Sequence, residues 1–156
     1  MELVEVHLRS LAELPRECIR GAILDMQAAL LQSPEATTDL SYFPVRHVFA
    51  PGTYAREMTI PEGQVIFGMI HRHAHLNIIS AGRCTVLTEF GIEHLEAPCT
   101  FVSLPGTKRV VFAVDNVVWT TVYATDSTDV DAIVKEFTTD TYSDIELVGD
   151  FTRITP

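Results

Sequence analysis

From Val45 to Ala124 the chain is a succession of short β-rich runs broken by turn residues. In order they read VRHVFA, PG, TYAREMTI, PEG, QVIFGMIHRHAHLNIIS, AG, RCTVLTEF, G, IEHLEAP, CTFVSL, PG, TKRVVFAV, DN and VVWTTVYA. About eight strands at such regular spacing, punctuated by Gly, Pro and Asn, constrain the fold to an antiparallel sandwich or barrel. Within TYAREMTI, Tyr54, Arg56 and Met58 alternate with Ala55, Glu57 and Thr59. Period-two alternation gives a strand one face unlike the other.

The period changes on both sides of this region. In PRECIRGAILDMQAALLQSP, Ile19, Ile23, Met26 and Leu30 recur at helical spacing, with Pro15 near the start and Pro34 at the end. In DSTDVDAIVKEF, Val130, Ile133, Val134 and Phe137 form one apolar stripe. Thr128 is the expected N-cap, with Asp131 beside the first turn. The last stretch, TTDTYSDIELVGDFTRITP, is polar with a few apolar anchors and is expected to wrap the domain or a neighbouring subunit. One domain of 156 residues is expected, with a helical segment over 1–44, the β region over 45–125, and a helix and tail over 126–156.

Hydrophobic residues make up 47% of the chain and charged residues 21%, so it can bury a core. The net charge of -10 repels nucleic-acid backbones and anionic membranes, so neither is an expected partner. No apolar run is long enough to span a bilayer, and the acidic start MELVEVHLRS is unlike a signal peptide. The three cysteines, Cys18, Cys84 and Cys99, are odd in number and show no CxxC spacing. They read as free thiols in a reducing compartment, the cytoplasm of a bacterium or of a phage-infected host cell. No nucleophile elbow, phosphate loop, dinucleotide fingerprint or zinc-finger spacing is present, and nothing indicates a serine or cysteine hydrolase.

Chemistry concentrates in FGMIHRHAHLNIISAG, which holds His71, His73 and His75 among the chain's six histidines. Alternate residues of one strand share a face, so all three could look into a barrel. Same-face neighbours lie about 6.5–7 Å apart along a strand, and zinc takes nitrogens at about 2.0–2.1 Å. Two imidazoles can converge across that gap; a third is harder unless the strand bends. A further ligand would come from another strand, with His47, Glu57, Glu89 and Cys84 as candidates. The competing reading is that the histidines line a polar cavity or the sheet surface and bind no metal.

The order of features over Val45 to Thr125 resembles the cupin superfamily. Its first motif is glycine, five residues, HxH, three or four residues, glutamate, six residues, glycine. Its second is glycine, five residues, PxG, two residues, histidine, three residues, asparagine. In one register Gly82 is the closing glycine of the first motif, His75 stands at the glutamate, His71 at the second histidine and Met69 at the first. The other register takes His71 and His73 as HxH and Asn77 for the glutamate, and puts Gly82 too close. The second motif is recognisable in SLPGTKRVVFAVDN, where Arg109 takes the histidine's place. The segments HLNIISAG, LEAPCTFVSLPGTKRV and VVWTTVYATDSTDV also resemble small cupin-like proteins of bacteriophages and prophages.

The resemblance implies a mainly β, cupin-like antiparallel barrel of jelly-roll type with one N-terminal and one C-terminal helix, and a homo-oligomer. It implies His71 and His75 as ligands of a divalent metal such as Zn, Fe, Ni or Mn. Arg109 alters that expectation, because a permanent cation opposes a metal cation and favours an anion. Arg109, His73 and Glu57 are therefore the expected contacts of a small, anionic ligand. A buried guanidinium must otherwise be neutralised, and Glu57 and Glu89 are its candidate partners. Three functions remain open: a binding protein for a small ligand, a metal-dependent oxygenase or isomerase, and a structural or accessory phage protein.

Overall fold

The computed structural model describes residues 2–39 and 42–145. Among them, two N-terminal helices, α1 (Glu2–Ala12) and α2 (Arg16–Leu30), precede the β region, where a single helix was expected. The extra helix is α1, which forms over the acidic N-terminal stretch. Val4, Leu8 and Leu11 supply its apolar side, and Leu8 is fully buried. Pro15 separates the two helices and caps the second, as its missing N–H allows.

The strands are β1 (Val45–Ala50), β2 (Thr53–Ile60), β3 (Val65–Phe67), β4 (Ile70–His71), β5 (His75–Ala81), β6 (Arg83–Thr88), β7 (Gly91–Glu96), β8 (Cys99–Ser103), β9 (Val110–Ala113) and β10 (Val117–Tyr123). Helix α3 (Val130–Phe137), a short strand β11 (Thr138–Thr139) and a 3-10 turn (Tyr142–Asp144) follow. The expected tail over 146–156 lies outside the described residues. Two antiparallel sheets face each other, one in the order β1-β2-β10-β5-β8 and the other in the order β3-β9-β6-β7. Strand β4 pairs with β11 as a separate two-stranded piece.

The histidine run was expected as one strand and is broken into three. Val65–Phe67 pairs with β9 in the four-stranded sheet, Ile70–His71 pairs with β11, and His75–Ala81 joins the five-stranded sheet. The chain crosses from one sheet to the other here, and a single strand cannot lie in both. Gly68 marks the crossing, its N–H donating to the Arg109 carbonyl at 2.8 Å.

Between the sheets lies a core of Ile60, Ile79, Cys84, Val86, Val111, Ala113, Val117 and Trp119. The other face of the four-stranded sheet is covered by α1 and α2, which set Leu8, Ile19 and Ile23 against Leu87, Val110 and Phe112. That double cover explains why β9 is buried at all four positions. Strand β5 alternates instead: His75, Asn77 and Ile79 are buried, whereas Leu76, Ile78 and Ser80 are exposed. Helix α3 closes one end of the barrel, packing Ile133 and Phe137 on Tyr54 and Tyr123. Its N-cap is Asp129, whose carboxylate accepts from the Ala132 N–H at 3.1 Å. The expected cap, Thr128, lies one residue too early, because the first helical residue is Val130.

Gly82 turns the β5–β6 hairpin at φ +81°, and a Cβ there would lie 2.2 Å from the Asn116 carbonyl oxygen. Gly82→Ala should therefore destabilise the protein by about 2 kcal/mol or more, combining left-handed strain with a backbone clash. Gly21, inside α2 with open space around it, is the control. Gly21→Ala should stabilise by about 0.5–1 kcal/mol. Urea denaturation of both variants checks the pair; equal effects at the two positions would contradict this account of the turn.

Candidate functional site

The inner face of the five-stranded sheet brings the chemistry together. Strand β5 contributes His75 and Asn77, β8 contributes Phe101 and Ser103, β10 contributes Trp119, Thr121 and Tyr123, and β2 contributes Tyr54, Arg56 and Met58. Cross-strand register aligns them, with His75 opposite Ser103, Asn77 opposite both Phe101 and Thr121, and Thr121 opposite Arg56. His71 enters from β4, and Arg109 from the residue before β9.

His71 and His75 lie with ring centroids 4.0 Å apart and planes tilted by 33°. The two nitrogens of each ring have different surroundings. His71 Nδ1 meets the Tyr123 hydroxyl at 3.1 Å. His75 Nδ1 donates to the His73 carbonyl at 3.1 Å, which leaves Nε2 with its lone pair. That Nε2 is buried and has no hydrogen-bond partner. Burial, the neighbouring His75 and the charges of Arg109, Arg56 and Lys108 lower the His71 pKa to about 2. Burial lowers that of His75 to about 4, with Arg109 adding to the effect against the backbone hydrogen bond. Both rings are neutral at pH 7.

Arg109 is only 8% exposed. Its Nη2 donates to Ser103 Oγ, and its guanidinium lies 5.7 Å from the Phe101 ring centre and 5.8 Å from that of Trp119. Ser103 Oγ also accepts from Asn77 Nδ2 at 2.6 Å, while Asn77 Oδ1 accepts from Trp119 Nε1 at 2.9 Å. Burial pulls the Arg109 pKa down to about 10, so the group stays cationic at neutral pH.

Neither expected carboxylate pairs with it, although the charge of Glu89 acts on it from a distance. Glu57 sits at an odd position of β2, on the outer face, and forms a two-pronged pair with Arg46 at 3.1 Å. Glu89 lies beyond the end of β6 and pairs with Arg20 of α2 at 2.8 Å. No ion pair reaches Arg109 among the described residues. His73 is exposed, its ring centre 5.4 Å from that of Phe137 in an edge-to-face arrangement; its carbonyl, not its imidazole, serves the cluster.

Arg56 is a group the sequence reading missed. It shares the inner face of β2 with Tyr54 and Met58, and its side-chain hydrogen-bond contact is Met58 Sδ at 3.9 Å. The signal was a single charge on the apolar side of the TYAREMTI alternation.

A resident divalent metal fits these residues poorly. No group of three or more His, Cys, Asp or Glu side chains is placed to hold one among the described residues. His47 is exposed and its Nδ1 is engaged by the Tyr54 hydroxyl at 2.7 Å. Burial pushes the Cys84 thiol up to about 12, far from a thiolate ligand. Two imidazoles remain, beside a fixed guanidinium.

No protein-family model and no curated protein matches the chain. Among solved structures, a salicylate 1,2-dioxygenase from Pseudaminobacter salicylatoxidans superposes with a TM-score of 0.51 at 11% identity, over 74% of this chain and 34% of that one. A cupin 2 domain-containing protein from Halorhodospira halophila gives 0.49 at 16% identity, over 65% and 80% of the two chains. A cupin superfamily protein from Desulfitobacterium hafniense gives 0.47 at 6% identity, over 58% and 84%. No helix of the described residues is long and apolar enough to cross a membrane. The likeness is one of fold, and the chain is a mainly β protein of two sandwiched antiparallel sheets.

Proposed function

We propose that this cupin-like barrel is a receptor for a small organic anion. The observation that carries the reading is Arg109: a buried guanidinium with no carboxylate partner among the described residues, facing two neutral imidazoles. A bound anion supplies the missing counter-charge. His71, with Nδ1 accepting from the Tyr123 hydroxyl, keeps an Nε2–H to donate to it without adding charge, whereas the Nε2 lone pair of His75 can meet only a donor group of the ligand. The same guanidinium disfavours a divalent cation, which the metal-dependent oxygenase or isomerase reading requires.

Titration calorimetry of the wild type and of Arg109→His with acetate, phosphate and zinc tests this. A hydrogen bond to a charged group contributes about 1.5–3 kcal/mol, so the substitution should weaken anion binding about tenfold to a hundredfold. It should also improve zinc uptake, because a third imidazole replaces the cation. Unchanged binding of both classes by a folded variant would remove Arg109 from the site.

The neutral histidines also set a pH dependence. Their folded pKa values lie below the ordinary 6.5, so the unfolded chain binds the extra protons as pH falls. Stability is therefore full above about pH 6.5 and is lost on acidification towards pH 4 and below. Each histidine contributes a slope of about 1.4 kcal/mol per pH unit within its window. His71→Phe should remove one histidine's share of that slope between pH 6 and 4, as read by denaturation at each pH; an unchanged slope would contradict the assignment.

A homo-oligomer remains part of the proposal. Val48, Ala55, Val122, Leu76 and Val102 form one in-register apolar row across the outer face of the five-stranded sheet. Leu76 is 45% exposed and Val102 58%. Such a row favours association. Sedimentation equilibrium should show an oligomer in the wild type and a shift towards monomer in Leu76→Glu; a monomeric wild type would overturn this part.

A further inference from the structure

A groove of about 620 Å3 opens at the mouth of the barrel, between β1 and α3. Its size is that of a small-molecule site. It is distinct from the His71, His75 and Arg109 cluster, none of which lines it. Its apolar wall is made by Phe43, Val45, Met69, Val130 and Val134. Val130 and Val134 are half-buried on the side of α3 towards this groove, whereas Ile133 and Phe137 are turned into the barrel end. The helix thus divides its apolar residues between the core and the groove.

The charges of the groove are unevenly matched. Lys135, on the exposed side of α3, stands four residues after Asp131, and no ion pair joins the two among the described residues. Asp140 is close enough to Lys108 to favour its charged form. Arg72 is tied to the Thr138 carbonyl by its Nε at 3.0 Å. Arg56 differs. It enters the groove from the inner face of β2, its hydrogen-bond contact is a thioether sulfur, and no ion pair reaches it among the described residues.

We infer that this groove binds a small carboxylate with an apolar body, its carboxylate on Arg56 and its body against Val45, Met69, Val130 and Val134. The inference goes beyond the reading of an anion held at Arg109 and adds a second place in the same barrel, with its own ligand class. An unmatched guanidinium selects an anionic head and forms a two-pronged contact with a carboxylate. His47 lies opposite Arg56 at this head, while Val45, Met69, Val130 and Val134 offer apolar surface, so added hydrocarbon should raise affinity. Inorganic anions satisfy only half of the site.

Titration calorimetry of the full chain with octanoate, acetate and inorganic phosphate tests this. Octanoate should bind at least tenfold more tightly than acetate or phosphate. Arg56→Gln should weaken octanoate binding at least tenfold, and Arg56→Lys, which keeps the charge, should recover much of the loss. Val134→Trp, which fills the groove, should also weaken it, and a melting curve of each variant establishes that it is folded. Octanoate binding no tighter than acetate, or insensitive to substitution at Arg56, would overturn the inference. If anion binding survives substitution at Arg56 but is lost in Arg109→His, the receptor reading stands and the groove is not its site. If none of the three anions binds the wild type, both fall together.

Discussion

The interior of this barrel is organised around a buried positive charge. Removing a guanidinium from water costs several kcal/mol unless its donors and its charge are both answered. Ser103 Oγ answers one donor, and the faces of Phe101 and Trp119 answer part of the charge, at about 0.5–2 kcal/mol per aromatic contact. Those aromatic and hydroxyl partners are themselves held. Asn77 links Ser103 to Trp119, so β5, β8 and β10 share one hydrogen-bonded unit with Arg109 at its centre. The arrangement leaves a cation in place with no ion pair of its own among the described residues.

Two consequences spread from that cation. It helps to keep His71 and His75 unprotonated, since burial and positive neighbours act in the same direction on both rings. It also changes what the pair can serve. His75 has the arrangement of a metal ligand, with Nδ1 tied to a backbone carbonyl and Nε2 free. In the register that makes His71 and His75 ligands, the two remaining positions hold Met69 and Arg109 instead. The lone pair of His75 Nε2 is left to accept from a donor group of a ligand whose charge lies on Arg109.

Legibility in the sequence followed the number of structural layers over each segment. β5 was readable because one face is buried and the other is exposed, which produces strict alternation at His75, Leu76, Asn77, Ile78 and Ile79. The turn at Gly82 was readable because only glycine suits its φ and its close approach to Asn116. The break at Gly68 was not, because the apolar runs on either side of it look continuous although they belong to different sheets. On β2 the expected contact, Glu57, lies on the outer face. Alternation separated Arg56 from Glu57, but which face turned inward depends on pairing with β10. Glu57 is matched across the pair by Arg46, whereas Arg56 is not matched by a carboxylate. Arg109 itself was placed correctly in the interior, but its partners came from β8 and β10, which spacing along one strand cannot reveal.

The most direct test of the central claim is the imidazole nitrogen NMR spectrum of the protein at pH 7, recorded free, with zinc and with acetate. The expected spectrum shows His71 and His75 neutral, His75 protonated on Nδ1, and signals that move with acetate and remain in place with stoichiometric zinc. A His75 Nε2 signal that shifts on adding zinc and ignores acetate would show that the barrel is a metal site and contradict the account.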